Sequence, residues 1–102
     1  MITIKNLRNE KPQNEYDIKV DRSSVLGNPY FLKYEELRDD VCNKYKMYFY
    51  KKIKTDETFI KELRRISAIY RKYGKLNLFC WCYPKRCHAE TIKNWLEKEV
   101  II

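Results

Sequence analysis

The chain has 102 residues, of which 44% are hydrophobic and 35% charged, with two Gly and three Pro. That composition predicts one domain over residues 1–102 and excludes disordered and collagen-like chains. Twenty-two Lys and Arg against 14 Asp and Glu leave a formal charge of +8, which favours anionic partners. No apolar run approaches the roughly 20 residues that cross a bilayer, and Met1 to Leu7 lacks the apolar stretch of a signal peptide. The expectation is therefore a soluble protein with no membrane partner, cytoplasmic (in the host cell if viral), folding alone or as a small homo-oligomer.

Two short apolar stretches open the chain, Ile2-Thr3-Ile4 and Tyr16 to Val20, each alternating with polar residues and separated by the polar, Pro-containing segment Asn9 to Glu15. They predict two strands near a sheet edge. Residues Asp21 to Tyr30 follow, where Gly27, Asn28 and Pro29 end any regular element and predict a loop. From Tyr34 the period becomes helical. Tyr34, Leu37, Val41, Tyr45, Tyr48 and Phe49 lie on one stripe, predicting a helix to about Lys52. A second helix begins after Thr55 or Asp56 as cap, carries Phe59, Leu63, Ile66, Tyr70 and Tyr73, and stops at Gly74. The pair predicts an antiparallel hairpin over residues 34–73.

Leu76 to Tyr83 is nearly continuous in apolar residues and reads as a buried, central strand ended by Pro84. A last amphipathic helix runs from Cys87 or His88 to about Glu99, with Ala89, Ile92, Trp95 or Leu96, and Val100 at helical spacing. The order β-β-α-α-β-α predicts a small α/β sandwich with a mostly parallel or mixed short sheet.

Charge and cysteine are both unevenly placed. Five lysines (Lys44, Lys46, Lys51, Lys52, Lys54) lie between Val41 and Thr55 with no acid among them, and Lys61, Arg64, Arg65, Arg71, Lys72 and Lys75 continue the excess. This Lys/Arg-rich hairpin is either a solvated face or a nucleic-acid footprint. Of the four cysteines, Cys42 stands alone while Cys80, Cys82 and Cys87 cluster beside His88, the one histidine. Secreted scaffolds spread their cysteines, so this clustering reads as reduced thiols.

Cys80 and Cys82, two apart on a strand, share one face; Cys87 and His88 fall in the first turn of the last helix, where the dipole lowers a thiol pKa. Several readings of this strand-turn-helix (residues 76–99) compete. Cys80, Cys82, Cys87 and His88 are candidate ligands for zinc or an iron–sulfur cluster, although their spacing departs from paired knuckles. Cys87 is a candidate nucleophile with His88 or Glu90 as acid or base. The cluster also suits the floor of an anion or nucleotide pocket, or a set of small buried thiols with a capping histidine.

Arg22-x-Ser24-Val-Leu26-Gly27-Asn28-Pro29-Tyr30 together with Cys80-Trp81-Cys82-x-Pro84-x-x-Cys87-His88-Ala-Glu resembles the small domain-of-unknown-function family numbered four-three-two-six, common in phages and bacteria. The resemblance spans about Val20 to Trp95. It implies an α/β fold with a site where the two motifs meet, and assigns no catalytic role. Members often carry Phe after Asn-Pro and Gly after Cys-His, where this chain has Tyr30 and Ala89.

Facing one another, the two motifs would hold a nucleotide or ADP-ribose-like phosphorylated ligand. Arg22 would take phosphate, Ser23 and Ser24 would add hydroxyls, and Gly27 and Asn28 would let backbone approach. Cys82, Cys87 and His88 would line the helix N-terminus, with Trp81 or Tyr30 stacking on a base. Asp21 is a further carboxylate. The rival is a nucleic-acid-binding protein that uses the basic hairpin, with the Cys/His segment as a structural metal site. Residue types alone leave binding and turnover open.

Overall fold

A computed structural model describes residues 1–99 as β1 (Ile2–Asn6), β2 (Asp17–Lys19), a short 3-10 turn (Glu35–Leu37), α1 (Arg38–Thr55), α2 (Glu57–Tyr73), β3 (Leu76–Cys80) and α3 (Ala89–Glu99). The fold is mixed α/β in the expected order. The three strands form one sheet, ordered β1-β3-β2 and parallel throughout, with Ile2 opposite Leu76 and Ile18 opposite Leu78. Val100, placed on the last helix by its spacing, lies outside the described residues.

Alternation along the strands divides the sheet into two unlike faces. Leu76, Leu78 and Cys80, with Ile2 and Ile18 beside them, enter a cluster with Tyr45 and Phe49 of α1, Phe59, Leu63, Ile66 and Tyr70 of α2, and Ala89, Ile92 and Leu96 of α3. All three helices therefore pack on this face, giving two layers. The other face carries Thr3, Lys5, Asp17, Lys19 and Asn77, with buried Phe79 among them. Asn77 Nδ2 donates to Asp17 Oδ1 at 2.7 Å across the β2–β3 pair.

Local chemistry sets the helix ends. Asp56 alone joins α1 to α2 and caps the latter, accepting from the amides of Thr58 (3.0 Å) and Phe59 (3.2 Å). Gly74 closes α2 at φ 70°, in the left-handed region that only glycine enters without strain, and its N–H reaches the Tyr70 carbonyl. Near the joint, Phe59 packs edge-on against Phe49 and Tyr48.

Three boundaries that bear on the site differ from the sequence reading. The last helix begins at Ala89 rather than at Cys87 or His88, whose carbonyls accept from the Glu90 and Thr91 amides in a tight turn ahead of it. The first long helix begins at Arg38 rather than Tyr34, because Tyr34 and Leu37 are 56% and 39% exposed and nothing packs them into an i,i+4 stripe. The central strand stops at Cys80 rather than Tyr83, because its partners run out: Asn6 ends β1 opposite Cys80, and Lys19 ends β2 opposite Phe79. Cys82 thus belongs to the turn after the strand, not to a strand face shared with Cys80.

Candidate functional site

In a parallel sheet every strand delivers its carboxyl end to the same edge, where ligand sites of open α/β sheets form. The loop after β2, residues 20–30, and the turn after β3, residues 81–88, both leave from that edge. They meet there over the first half of α1 and enclose a cavity of about 290 Å3.

The loop is built largely by its own polar groups. Asp21 accepts from the amide and hydroxyl of Ser23, and the Asp21 carbonyl accepts from Ser24 N–H. Ser24 Oγ takes the Leu26 amide, and Asn28 Oδ1 takes the Tyr30 amide. Gly27 is forced by crowding: a Cβ there would overlap the Asp21 carbonyl oxygen and come within 2.7 Å of Arg22 Cα. Leu26 is fully buried, and its carbonyl accepts from the Tyr45 hydroxyl at 2.7 Å.

The turn is held by other elements. Asn6 Nδ2 donates to the carbonyls of Tyr83 (2.7 Å) and Trp81 (3.4 Å). Trp81 Nε1 donates to Asp21 Oδ2 at 3.1 Å, tying turn to loop. His88 is buried, its Nε2–H donating to the Val20 carbonyl while its ring meets Tyr45 edge-on with centroids 4.9 Å apart. Burial, with Arg22 nearby, pushes the imidazole pKa below its ordinary value despite the bond to Val20, so the ring is neutral. For Asp21, burial works upward, but the bonds from Ser23 and Trp81 outweigh it and hold the carboxyl below the usual range.

Three guanidinium groups reach the cavity: Arg22, Arg38 and Arg86. Arg38 forks onto Glu35 at 2.9 and 2.7 Å and donates to the Arg86 carbonyl at 2.9 Å. With Lys85 added, these bonds pull the exposed Glu35 carboxyl down to about 2. Arg86 pairs with Asp39 and Asn43 at 3.0 and 3.1 Å. Arg22 touches neutral groups, the Tyr30 carbonyl at 3.2 Å and the Phe31 ring with its centroid 3.7 Å away. Asp21 is the one carboxylate among the lining residues. Val41, Leu32, Tyr30 and Trp81 give the wall its apolar character.

All four cysteines are free. Cys42, Cys82 and Cys87 line the cavity, and Cys80 lies behind Cys87 with their sulfurs 3.2 Å apart. The Cys87 thiol donates to Cys80, and the amides of Cys82 and Tyr83 assist, so Cys80 is held well below the ordinary thiol value. Donating its S–H in that bond, together with burial, pushes Cys87 up. This reverses the sequence expectation: the helix start does not lower Cys87, because its sulfur is the donor of the pair.

A family model described as a domain of unknown function (DUF4326) matches residues 4–98, a span holding both motifs. The chain belongs to this family. No curated protein and no solved structure matches it.

In this DUF4326 chain the cavity gathers Arg22, Asn28, Tyr30, Trp81, Cys82, Cys87 and His88. Ser23, Ser24 and Gly27 do not line it; their polar groups and close approach serve the loop itself. Glu90 is exposed on α3 and does not line it either. Among the described residues, no three His, Cys, Asp or Glu side chains are grouped to hold an ion, since His88 is turned to Val20 and the sulfurs of Cys80 and Cys87 engage each other. Sequence reasoning missed Arg38, whose only signal was its place one helical turn before Cys42, on the face that fronts the turn.

Among the described residues, no helix is long and apolar enough to cross a membrane.

Proposed function

We propose that the cavity binds a nucleotide or another ADP-ribose-like phosphorylated ligand, with phosphate on the guanidinium groups and a ring against Trp81 or Tyr30. The observation that carries this reading is the convergence of Arg22, Arg38 and Arg86 on one apolar cavity whose wall includes two aromatic rings. Exposed ion pairs such as Arg86 with Asp39 are worth about 1 kcal/mol or less, so a phosphate can displace the carboxylate. The volume of about 290 Å3 lies at the low end for ligand pockets, roughly 300 Å3 and up, so it suits one ring or one phosphate group, the remainder resting on the exposed aromatic rim.

Binding rather than turnover fits the groups at hand. Of the candidates for acid–base work on a bound ligand, His88 has Nε2 engaged with Val20 and Glu90 lies outside the cavity, while the Cys87 sulfur is in contact with Cys80. Asp21 has its carboxylate occupied by Ser23 and Trp81.

Calorimetric titration with adenosine diphosphate, ADP-ribose and inorganic phosphate tests this. One of the two nucleotides should bind with the Trp81 fluorescence changing, and Arg22→Ala should weaken it by tenfold or more, about 1.4 kcal/mol. Failure of both nucleotides to bind, or equal affinity in Arg22→Ala, overturns the reading.

A second reading rests on a different observation: Lys44, Lys46, Lys51 and Lys54 are all exposed on α1. In it the hairpin holds nucleic acid, and zinc or an iron–sulfur cluster is held as a structural centre by Cys80, Cys82, Cys87 and His88 once His88 turns from Val20 and the two touching sulfurs part. Oligonucleotide affinity that falls steeply with salt and is abolished by Lys51→Glu with Lys54→Glu, but unchanged in Arg22→Ala, favours it. Native mass spectrometry of protein purified without chelator reads the metal directly.

A further inference from the structure

We infer that Cys80 and Cys87 form a redox-active pair that closes to a disulfide when a small peroxide enters the cavity. Three features place this chemistry at these two residues rather than at the other thiols. Their sulfurs are already in contact at 3.2 Å and joined by an S–H···S bond, so bonding needs only a small further approach. The two sit on different elements, one ending β3 and one just before α3, and the intervening residues 81–86 form a turn rather than a helix or strand that would have to break. They also differ in access: Cys87 lines the cavity, whereas Cys80 is sealed behind it at 1% exposure. Cys42 and Cys82 reach the same cavity but have no sulfur partner.

That asymmetry orders the steps. The Cys87 sulfur attacks one oxygen of hydrogen peroxide and the O–O bond breaks. The departing hydroxide takes the Cys87 proton and leaves as water, and Cys87 becomes a sulfenic acid. The Cys80 sulfur then attacks Cys87, the S–O bond breaks, and the hydroxide leaves with the Cys80 proton as a second water. Two thiols are oxidised by two electrons, and one peroxide is reduced to two waters.

The assignment does not depend on any ligand of the cavity, and its test reads sulfur alone. The reduced protein is treated with one equivalent of hydrogen peroxide, free thiols are then alkylated, and the chain is digested with trypsin. Cleavage after Lys75, Lys85, Arg86 and Lys93 puts Cys80 with Cys82 in one peptide and Cys87 in another. The expected product is those two peptides joined, lighter by two hydrogens, with Cys82 alkylated and the link released by dithiothreitol. Cys82→Ser should leave the link in place, and Cys87→Ser should abolish it. If all four thiols remain alkylatable, or if the first link joins Cys82 or Cys42, the assignment is wrong. Wild-type protein decides the matter, so a variant that fails to fold does not obscure it.

Discussion

The loop after β2 and the turn after β3 form opposite walls of one cavity, yet they are held in place by opposite means. The loop's polar residues bond to the loop: Asp21 to Ser23, Ser24 to Leu26, Asn28 to Tyr30, with Gly27 pressed against the Asp21–Arg22 backbone. The turn is held from outside, by Asn6 of β1, by Asp21 of the loop, and by the Val20 carbonyl that His88 grips. A motif-like string of residues therefore has two physical meanings here. One string encodes its own shape, while the other encodes a fit to neighbours.

Four measurements bear on that difference, the largest effect first. Gly27→Ala should lower stability by about 2 to 3 kcal/mol, since the added methyl meets backbone that cannot swing away. Urea unfolding reads it, and a loss under 1 kcal/mol would mean the loop is looser than its own bonds suggest. Tyr45→Phe removes the one buried bond from α1 to the loop, leaving the Leu26 carbonyl unmatched while the ring still covers His88. A loss of about 1 to 2 kcal/mol is expected from the same measurement. Trp81→Phe cuts the side-chain link between the walls but at an exposed site, with an expected cost of about 0.5 to 1 kcal/mol.

The last effect is nil at neutral pH. His88 has its folded pKa lowered by burial, so below the ordinary value of 6.5 the unfolded chain takes up a proton that the folded chain refuses. Stability contributed by the neutral ring is thus full above 6.5 and declines as pH falls through the folded value. Asp21 attracts and Arg22 repels the same charge, and the lowered Asp21 carboxyl stays ionised through this range. Unfolding midpoints on either side of 6.5 should diverge in the natural chain and converge in His88→Gln; an equal slope in both would assign the titration to another group.

Much of the architecture was legible because it rests on periodicity and punctuation. The spacing of Phe59, Leu63, Ile66 and Tyr70 marked α2, Asp56 and Gly74 marked its ends, and the apolar run from Leu76 marked the central strand. Strand and helix limits set by neighbours were less legible, which is why β3 was read three residues too long and α1 four residues too early. At the site, residue types pointed to Arg22, Trp81 and Cys87, but not to what each polar group faces. Ser23, Ser24 and Gly27 look like ligand contacts in a string and are loop contacts in space. The direction of the Cys87 S–H bond, which reverses its expected acidity, depends on a sulfur seven residues away and has no signature in local sequence.

The central position of β3 has a consequence for the order of assembly. Neither edge strand touches the other, and each pairs only with a segment beginning at Leu76, so β1 must wait for more than seventy residues of chain before any sheet bond is made. On a ribosome the hairpin helices emerge before β3, holding an apolar face with no sheet to lie against, and the sheet closes in a late, long-range step of the slow kind that long sequence separation imposes. The two walls of the cavity appear at that same moment, because one follows β2 and the other follows β3; a nascent chain thus has no partial site, and acquires its binding surface together with its fold.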